Sequence, residues 1–277
     1  MKRILTIQDI SCVGKCSLTV ALPIISAFGV ECCVLPTAVL STHTAFNGFT
    51  FRDLTCDMNE ISKHWKSQNI NFDALYTGYL GSFEQIDIVS NIFDEYKTKN
   101  NFILVDPVMA DNGLLYSGFD QKFADKMAKL CSKADIIVPN LTEASFMLHT
   151  PYISNGYNEE YVKNLLVKLT DLGAKTAVLT GITLNGKDLG VYGYNREKDE
   201  YFSYFREHLP KSFHGTGDVF ASTLCGALTN TSDLSNALKI AVDFTVESIK
   251  NTIKNPQRNW YGVEFESAFP YLINRIK

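Results

Sequence analysis

The 277-residue sequence predicts an α/β fold: a mostly parallel central sheet with helices on both faces. Three observations carry this. Short runs rich in β-branched and aromatic residues alternate with longer segments of helical periodicity. The length and the 45% hydrophobic content are enough for one large core. No Pro/Gly/Ser linker, low-complexity tract or internal repeat divides the chain. A single domain over residues 1–277 is therefore expected.

The first strand is placed at 3–8. Lys2 and Arg3 followed by Ile4 and Leu5 imitate the start of a signal peptide, but Gln8 and Asp9 cut the apolar run far short of one. Further strands are expected at 30–35, 73–78, 102–106, 135–139 and 176–180, with an antiparallel-looking pair at 189–194 and 200–205. Helical patterns lie near 16–28, 57–69, 83–98, 120–132, 142–149 and 157–172. This alternation implies parallel strands covered by helices. After Gly217 the pattern reads as helical to the end, with Val219, Leu224, Ala227 and Leu228, then Leu234, Leu238, Ala241 and Val242 as apolar positions. The weakly periodic stretch 37–50 reads as a substrate loop or short lid, or as a plain surface loop.

Composition narrows the partners. The formal charge of -4, with Lys and Arg scattered, offers no basic field for a nucleic-acid backbone. No stretch approaches the ~18 continuous apolar residues that span a bilayer, so no membrane is expected. Seven cysteines, including the adjacent Cys32 and Cys33, argue against a disulfide framework and for a reducing cytoplasm. Cys12 and Cys16 lack a second pair at zinc-site spacing and read as unreactive thiols.

The segment Gly215-Thr216-Gly217-Asp218 stands directly before the apolar helical run Val219-Phe220-Ala221. Two glycines let the backbone approach a ligand, and the unpaired amides of the helix start form an anion hole for phosphate. A carboxylate there can accept the proton of an attacking alcohol during phosphoryl transfer. A turn with a first-turn helix acid is the plain structural alternative. The same residues satisfy G-x-G-x-x-A, but a dinucleotide site expects a strand immediately before it and an acid ending the next strand. Here His208, Leu209 and Pro210 intervene and Asp233 merely starts another helix. Gly14-Lys15-Cys16-Ser17 imitates the tail of a phosphate-binding P-loop, yet Asp9 replaces its first glycine and Cys16 its Ser or Thr.

Two polar clusters end expected strands: Asp106-Pro107-Val108-Met109-Ala110-Asp111 and Pro139-Asn140-Leu141-Thr142-Glu143. Strand carboxyl ends form the ligand crevice of parallel α/β sheets, and such oxygen ligands suit Mg²⁺ beside phosphates. Singly, each acid also reads as a turn or helix-start residue; jointly with the glycine turn they favour metal-assisted phosphoryl transfer.

The ensemble resembles the ribokinase-like superfamily, and within it the pyridoxal (vitamin B6) kinase branch. The similar segments run in the family's order: Ile7-Gln8, Ser41-Thr42-His43-Thr44, Gly78-Tyr79-Leu80-Gly81-Ser82, Asp106-Pro107-Val108-Met109, Pro139 to Glu143, and Gly215 to Asp218. The resemblance implies ATP-dependent phosphorylation of the 5′-hydroxymethyl group of pyridoxal, pyridoxine or pyridoxamine. By motif position it makes Asp218 the base and the Gly215, Thr216 and Gly217 amides the anion hole. It places Asp106, Asp111 and Glu143, with Asn140, around Mg²⁺ and the nucleotide phosphates, largely through water, and Thr180 and Thr216 against the nucleotide. Ser41, His43 and Thr44 would meet the substrate, with Phe46 and Tyr79 as aromatic walls. It further implies a homodimer and leaves room for a monovalent cation.

Two departures stand out. Asp9 occupies the position of a serine that meets the ring, and Thr42 that of an Asn. A carboxylate at Asp9 would favour a protonated ring nitrogen or an amine, hence pyridoxamine; capping of local backbone is the alternative. The nearest competing branch, the hydroxymethylpyrimidine kinases, usually ends the glycine turn in Cys and carries Asn where this chain has His43. A B6-binding protein without catalysis would have lost the base or the metal acids, and neither loss is seen.

Overall fold

The structure is a computed structural model that describes residues 1–211 and 213–276. Contacts within the chain gather into two compact units, Met1–Gly78 with Leu209–Lys277, and Tyr79–His208.

In the first unit the strands β1 (Arg3–Val13), β2 (Glu31–Thr42), β3 (Phe51–Asp53) and β4 (Ala74–Thr77) lie in the order β4-β1-β2-β3. β1 runs parallel to both β2 and β4, and β3 turns back antiparallel on β2. Ile4, Leu5 and Ile7 are fully buried on β1, as the near-continuous apolar run of a two-sided parallel strand requires. Helix α1 (Leu18–Ala27) packs on β1, on β2 and on α7 (Thr216–Thr231), and α2 (Thr55–Ser67) packs on β2. α7 in turn packs on α8 (Leu234–Lys254), burying Val219, Leu224, Cys225 and Phe244.

The second unit holds β5 (Phe102–Val105), β8 (Ile136–Ile137), β9 (Thr176–Ile182), β10 (Asp188–Asn195) and β11 (Glu200–Glu207), with a separate small hairpin of β6 (Ala110–Asp111) and β7 (Leu114–Leu115). β5, β8 and β9 are mutually parallel neighbours, whereas β9, β10 and β11 form an antiparallel meander. Ala177, Val178 and Leu179 are fully buried on β9, against which α6 (Glu159–Asp171) packs. The remaining helices α3 (Phe83–Tyr96), α4 (Gln121–Cys131) and α5 (Leu141–Met147) start on side-chain caps from Ser82, Asp120 and Asn140, each satisfying an amide of the first turn.

The α/β class and mostly parallel pairing agree with the sequence expectation. Three local expectations need correction. β1 continues through Gln8 and Asp9 to Val13, and β2 continues to Thr42. The part of 37–50 read as loop is thus a strand up to Thr42, because pairing with β1 extends the sheet beyond the apolar alternation. The chain after Gly217 is also not helical throughout: residues 255–264 form a loop containing Pro256 and Gly262, before a 3-10 turn (Phe265–Ala268) and α9 (Phe269–Arg275). All seven cysteines are free thiols. Among the described residues no helix is long and apolar enough to cross a membrane.

Candidate active site

Asp218 is the third residue of α7, whose start is Gly215 at φ 81° with no side-chain cap. A Cβ at Gly215 would lie 1.6 Å from the Lys15 carbonyl oxygen, so the turn exists only because the residue has none. A Cβ at Gly217 would meet nothing within 4 Å. The backbone there is open, and the uncapped first amides of α7 can receive an anion. The Thr216 hydroxyl donates to the Phe213 carbonyl at 3.2 Å, which holds the turn.

Electrostatics single out Asp218. Burial among heavy atoms raises its pKa from 3.8 to about 7; the Ser17 amide opposes this and the charge of Asp9 adds to it. A helix start would ordinarily lower an acid's pKa, so burial wins. A carboxylate titrating near neutrality suits a general base. Cys16 is pushed up to about 12 by burial and then by the charges of Asp218 and Asp9, which keeps it a thiol.

Asp9 is 4% exposed. Its Oδ1 accepts the Ser17 hydroxyl at 2.5 Å and its Oδ2 the Ser11 hydroxyl at 2.9 Å. Burial nevertheless holds its pKa above the ordinary value, against the bonds from Ser17 and Ser11. Its side-chain partners are the two hydroxyls, and its own backbone amide also favours the charged form, as the local-capping alternative expects.

His43 directly follows β2 and is 6% exposed. Its Nε2 lies 2.8 Å from the Tyr261 carbonyl and its Nδ1 accepts the Ala45 amide at 3.2 Å. These partners require the neutral tautomer with the proton on Nε2. Burial lowers the pKa, chiefly against the carbonyl bond, and keeps the ring neutral. With both nitrogens engaged, His43 can offer a ligand only its ring. Phe46 lies edge-on at 5.0 Å, and His214, Trp260 and Tyr261 complete an aromatic cluster. Ser41 pins the loop 43–50 by accepting the Thr50 amide at 2.9 Å, and Thr44 is exposed on it.

The second unit gathers the other predicted residues at the carboxyl ends of adjacent parallel strands. Asp106 follows β5 and is 7% exposed; Asn140 follows β8; Thr180 lies in β9 and bridges Asn140 in parallel register. Asn140 caps α5 in a reciprocal box with Glu143, and its Nδ2 donates to the Ala110 carbonyl at 2.9 Å. Glu143 accepts the Asn140 amide at 2.8 Å and the Met109 amide at 3.3 Å. Burial raises its pKa to about 8, against those amides and with the charge of Asp111 adding. Asp111 is exposed and holds the Asn112 amide and side chain. Among the described residues no three His, Cys, Asp or Glu gather as direct metal ligands. The mutually repelling pair Asp111 and Glu143 fits a hydrated divalent cation, which needs only one or two carboxylates beside phosphate oxygens. Tyr79 belongs to this unit, stacked 5.8 Å from Phe119.

Ser11, Ser17, Trp260 and Tyr261 also belong to these clusters, and no sequence motif marks them. Ser17 was visible only as part of a false P-loop tail, and the two aromatics reach His43 from more than 200 residues away.

If Asp218 is the base, the pH profile of turnover must rise through neutrality. A protonated carboxyl cannot accept a proton, so kcat is expected to fall about tenfold per unit below pH 7 and to level off above it. A stopped assay across pH 5–9 with saturating substrates checks this; a flat profile would exclude the assignment.

Comparison with known proteins gives a consistent result. The phosphomethylpyrimidine kinase family model matches residues 22–261. Pyridoxal kinase of Arabidopsis thaliana is 26% identical over 94% of this chain and 85% of its own length. The hydroxymethylpyrimidine/phosphomethylpyrimidine kinase of Aquifex aeolicus is 28% identical over 63% of this chain and 67% of its own. A Bacteroides thetaiotaomicron protein, provisionally described as a phosphomethylpyrimidine kinase and crystallised with pyridoxal, superposes with a TM-score of 0.92 at 39% identity, over 98% of this chain and 95% of that one. Pyridoxal kinase from Lactobacillus plantarum gives 0.90 at 29% identity, over 99% and 97%. These relatives are kinases of B6 or pyrimidine substrates, and the chain belongs to the phosphomethylpyrimidine kinase family of the ribokinase-like superfamily.

Proposed function

We propose that this chain is an ATP-dependent kinase that phosphorylates the 5′-hydroxymethyl group of pyridoxal, pyridoxine or pyridoxamine. The observation that carries the reading is Asp218: an aspartate, raised to about 7, at an uncapped helix start beside an open glycine. Asp218 takes the proton of the substrate hydroxyl, and the amides of residues 215–217 hold the transferring phosphoryl group. Asp106, Asn140, Thr180 and Thr216 are assigned to the nucleotide. Asp111 and Glu143, with Asp106, are assigned to Mg²⁺, which when bound neutralises phosphate charge. Asp9, Ser41, His43, Thr44, Phe46 and Tyr79 are assigned to the substrate side, with the loop 43–50 as its lid. One catalytic domain, a homodimer, a monovalent cation and a cytoplasmic setting belong to the same reading through the family resemblance.

A 39% identical relative crystallised with pyridoxal supports the B6 substrate, as does Asp rather than Cys at position 218. The second reading, a hydroxymethylpyrimidine kinase, is favoured by the matching family model and by the Aquifex aeolicus relative. A turnover panel of pyridoxal, pyridoxamine, pyridoxine and hydroxymethylpyrimidine with ATP and Mg²⁺ separates them. A B6 vitamer is expected to give the highest kcat/KM; a preference for the pyrimidine would replace the first reading with the second. Tight vitamer binding without ATP consumption would indicate a non-catalytic binder.

A further inference from the structure

The kinase reading gives Ser17 no role and gives Asp9 only a contact with the substrate ring, yet the structure ties both to Asp218. β1 and β2 slip register between Gln8 and Ile10, opposite Thr37 and Ala38. Asp9 therefore lies opposite a bulge of β2, where the ladder is locally disrupted and a side chain can be re-aimed near a site. Both of its oxygens are already taken by the Ser11 and Ser17 hydroxyls.

Ser17 stands at φ 55°, ψ -137°, a backbone conformation that residues with a side chain rarely adopt. Such strain persists only where the surroundings over-determine it. Here the hydroxyl is held by Asp9, the carbonyl accepts the Val20 and Ala21 amides at 3.0 and 2.9 Å, and the amide lies close enough to the Asp218 carboxylate to oppose the rise of its pKa. The segment before it is clamped as well. Lys15 pairs with Glu266, and its carbonyl is pressed against Gly215.

On the basis of the kinase reading, we propose that Asp9 and Ser17 form a positioning pair for the base: Asp9 holds the Ser17 hydroxyl, the hold fixes the strained backbone, and the Ser17 amide orients the Asp218 carboxylate. Asp9 is then committed to its serines rather than to a substrate ring. The titratable groups facing Asp218 are Asp9 from β1 and Cys16 from the segment before α1; His43, at the end of β2, faces Asp9.

The test compares Asp9→Asn, Ser17→Ala, Ser17→Thr and the double variant Asp9→Asn/Ser17→Ala. Two readouts are used: the ¹³C carboxyl titration of Asp218, assigned by its loss in Asp218→Asn, and kcat and KM for the acceptor that the wild type uses best. Asp9→Asn removes a negative neighbour, so the Asp218 titration is expected to move to lower pH by about half a unit or more. Ser17→Ala is expected to lower kcat roughly tenfold with acceptor KM nearly unchanged. Ser17→Thr keeps the hydroxyl but is β-branched at φ 55°, so it is expected to melt lower than the wild type while keeping more activity than Ser17→Ala, and the double variant falls no further than the weaker single one, as members of one unit do. An unmoved titration in Asp9→Asn, with unchanged kcat and a raised acceptor KM, would overturn the proposal and make Asp9 a ring contact; so would additive losses in the double variant. If Ser17→Ala fails to fold, Asp9→Asn and Ser17→Thr decide. A wild type that turns over no hydroxymethyl substrate would sink the kinase reading instead, while the titration still decides whether Asp9 and Asp218 are tied.

Discussion

Replacing Asp218 with asparagine is expected to lower kcat by a factor on the order of 10² to 10⁴, the usual contribution of a general base, while nucleotide affinity stays almost unchanged. The carboxamide has nearly the same shape and keeps an oxygen acceptor toward the Ser17 amide, so the local geometry should survive. What disappears is a group that can take a proton near neutrality. Because the lost interaction exists only as the proton moves, kcat and kcat/KM should fall together. Steady-state kinetics with the best acceptor, alongside calorimetric titration of nucleotide, measure both halves of the expectation. Turnover at the wild-type rate would remove Asp218 as the base.

The second large effect is structural. Gly215→Ala is expected to lower the melting temperature by roughly 5–10 °C, the size that a few kcal/mol produces in a domain of this length. An alanine at φ 81° is itself strained by about 1–3 kcal/mol. The larger problem is the 1.6 Å approach to the Lys15 carbonyl, a backbone atom that cannot rotate away. Relief requires moving the segment that carries the Ser17 amide, so activity should fall along with stability. Gly217→Ala supplies the contrast. With nothing within 4 Å of the added carbon, that variant should melt near the wild-type temperature and lose activity only because a methyl group stands where a phosphate must approach. Thermal melts and turnover of the two variants separate the two kinds of glycine; equal melting temperatures would refute the steric argument.

Much of the architecture was legible because strongly periodic segments carry their own signal. β9 and α6 were placed within a few residues from apolar runs alone. The extension of β2 to Thr42 was not, since its polar residues are held by pairing with β1 rather than by their own alternation. The loop 255–264 had Pro256 and Gly262 as signals, but the apolar positions of α8 were carried past them. At the site, Asp218, Asp106, Asn140 and Glu143 were legible as short motifs at expected strand or helix ends. The Ser17 tie was not, because Ser17 stood out only within the false P-loop tail, and nothing local marks a hydroxyl that leaves its own helix start. Here it turns to Asp9 instead and leaves the first turn of α1 without a side-chain cap. The double engagement of His43 depends on a carbonyl 218 residues distant, a relation that no local pattern encodes.

The first compact unit is discontinuous, built from Met1–Gly78 and Leu209–Lys277, whereas the second is one uninterrupted run, Tyr79–His208. During synthesis from the amino terminus, the run that bears Asp106, Asn140 and Glu143 is complete before any residue of α7 has been made. α1, made early, must wait for α7 to cover it. The apolar surface that α1 offers to α7 therefore stays open through the synthesis of the whole second unit, and Asp218 is the last of the assigned reactive groups to arrive.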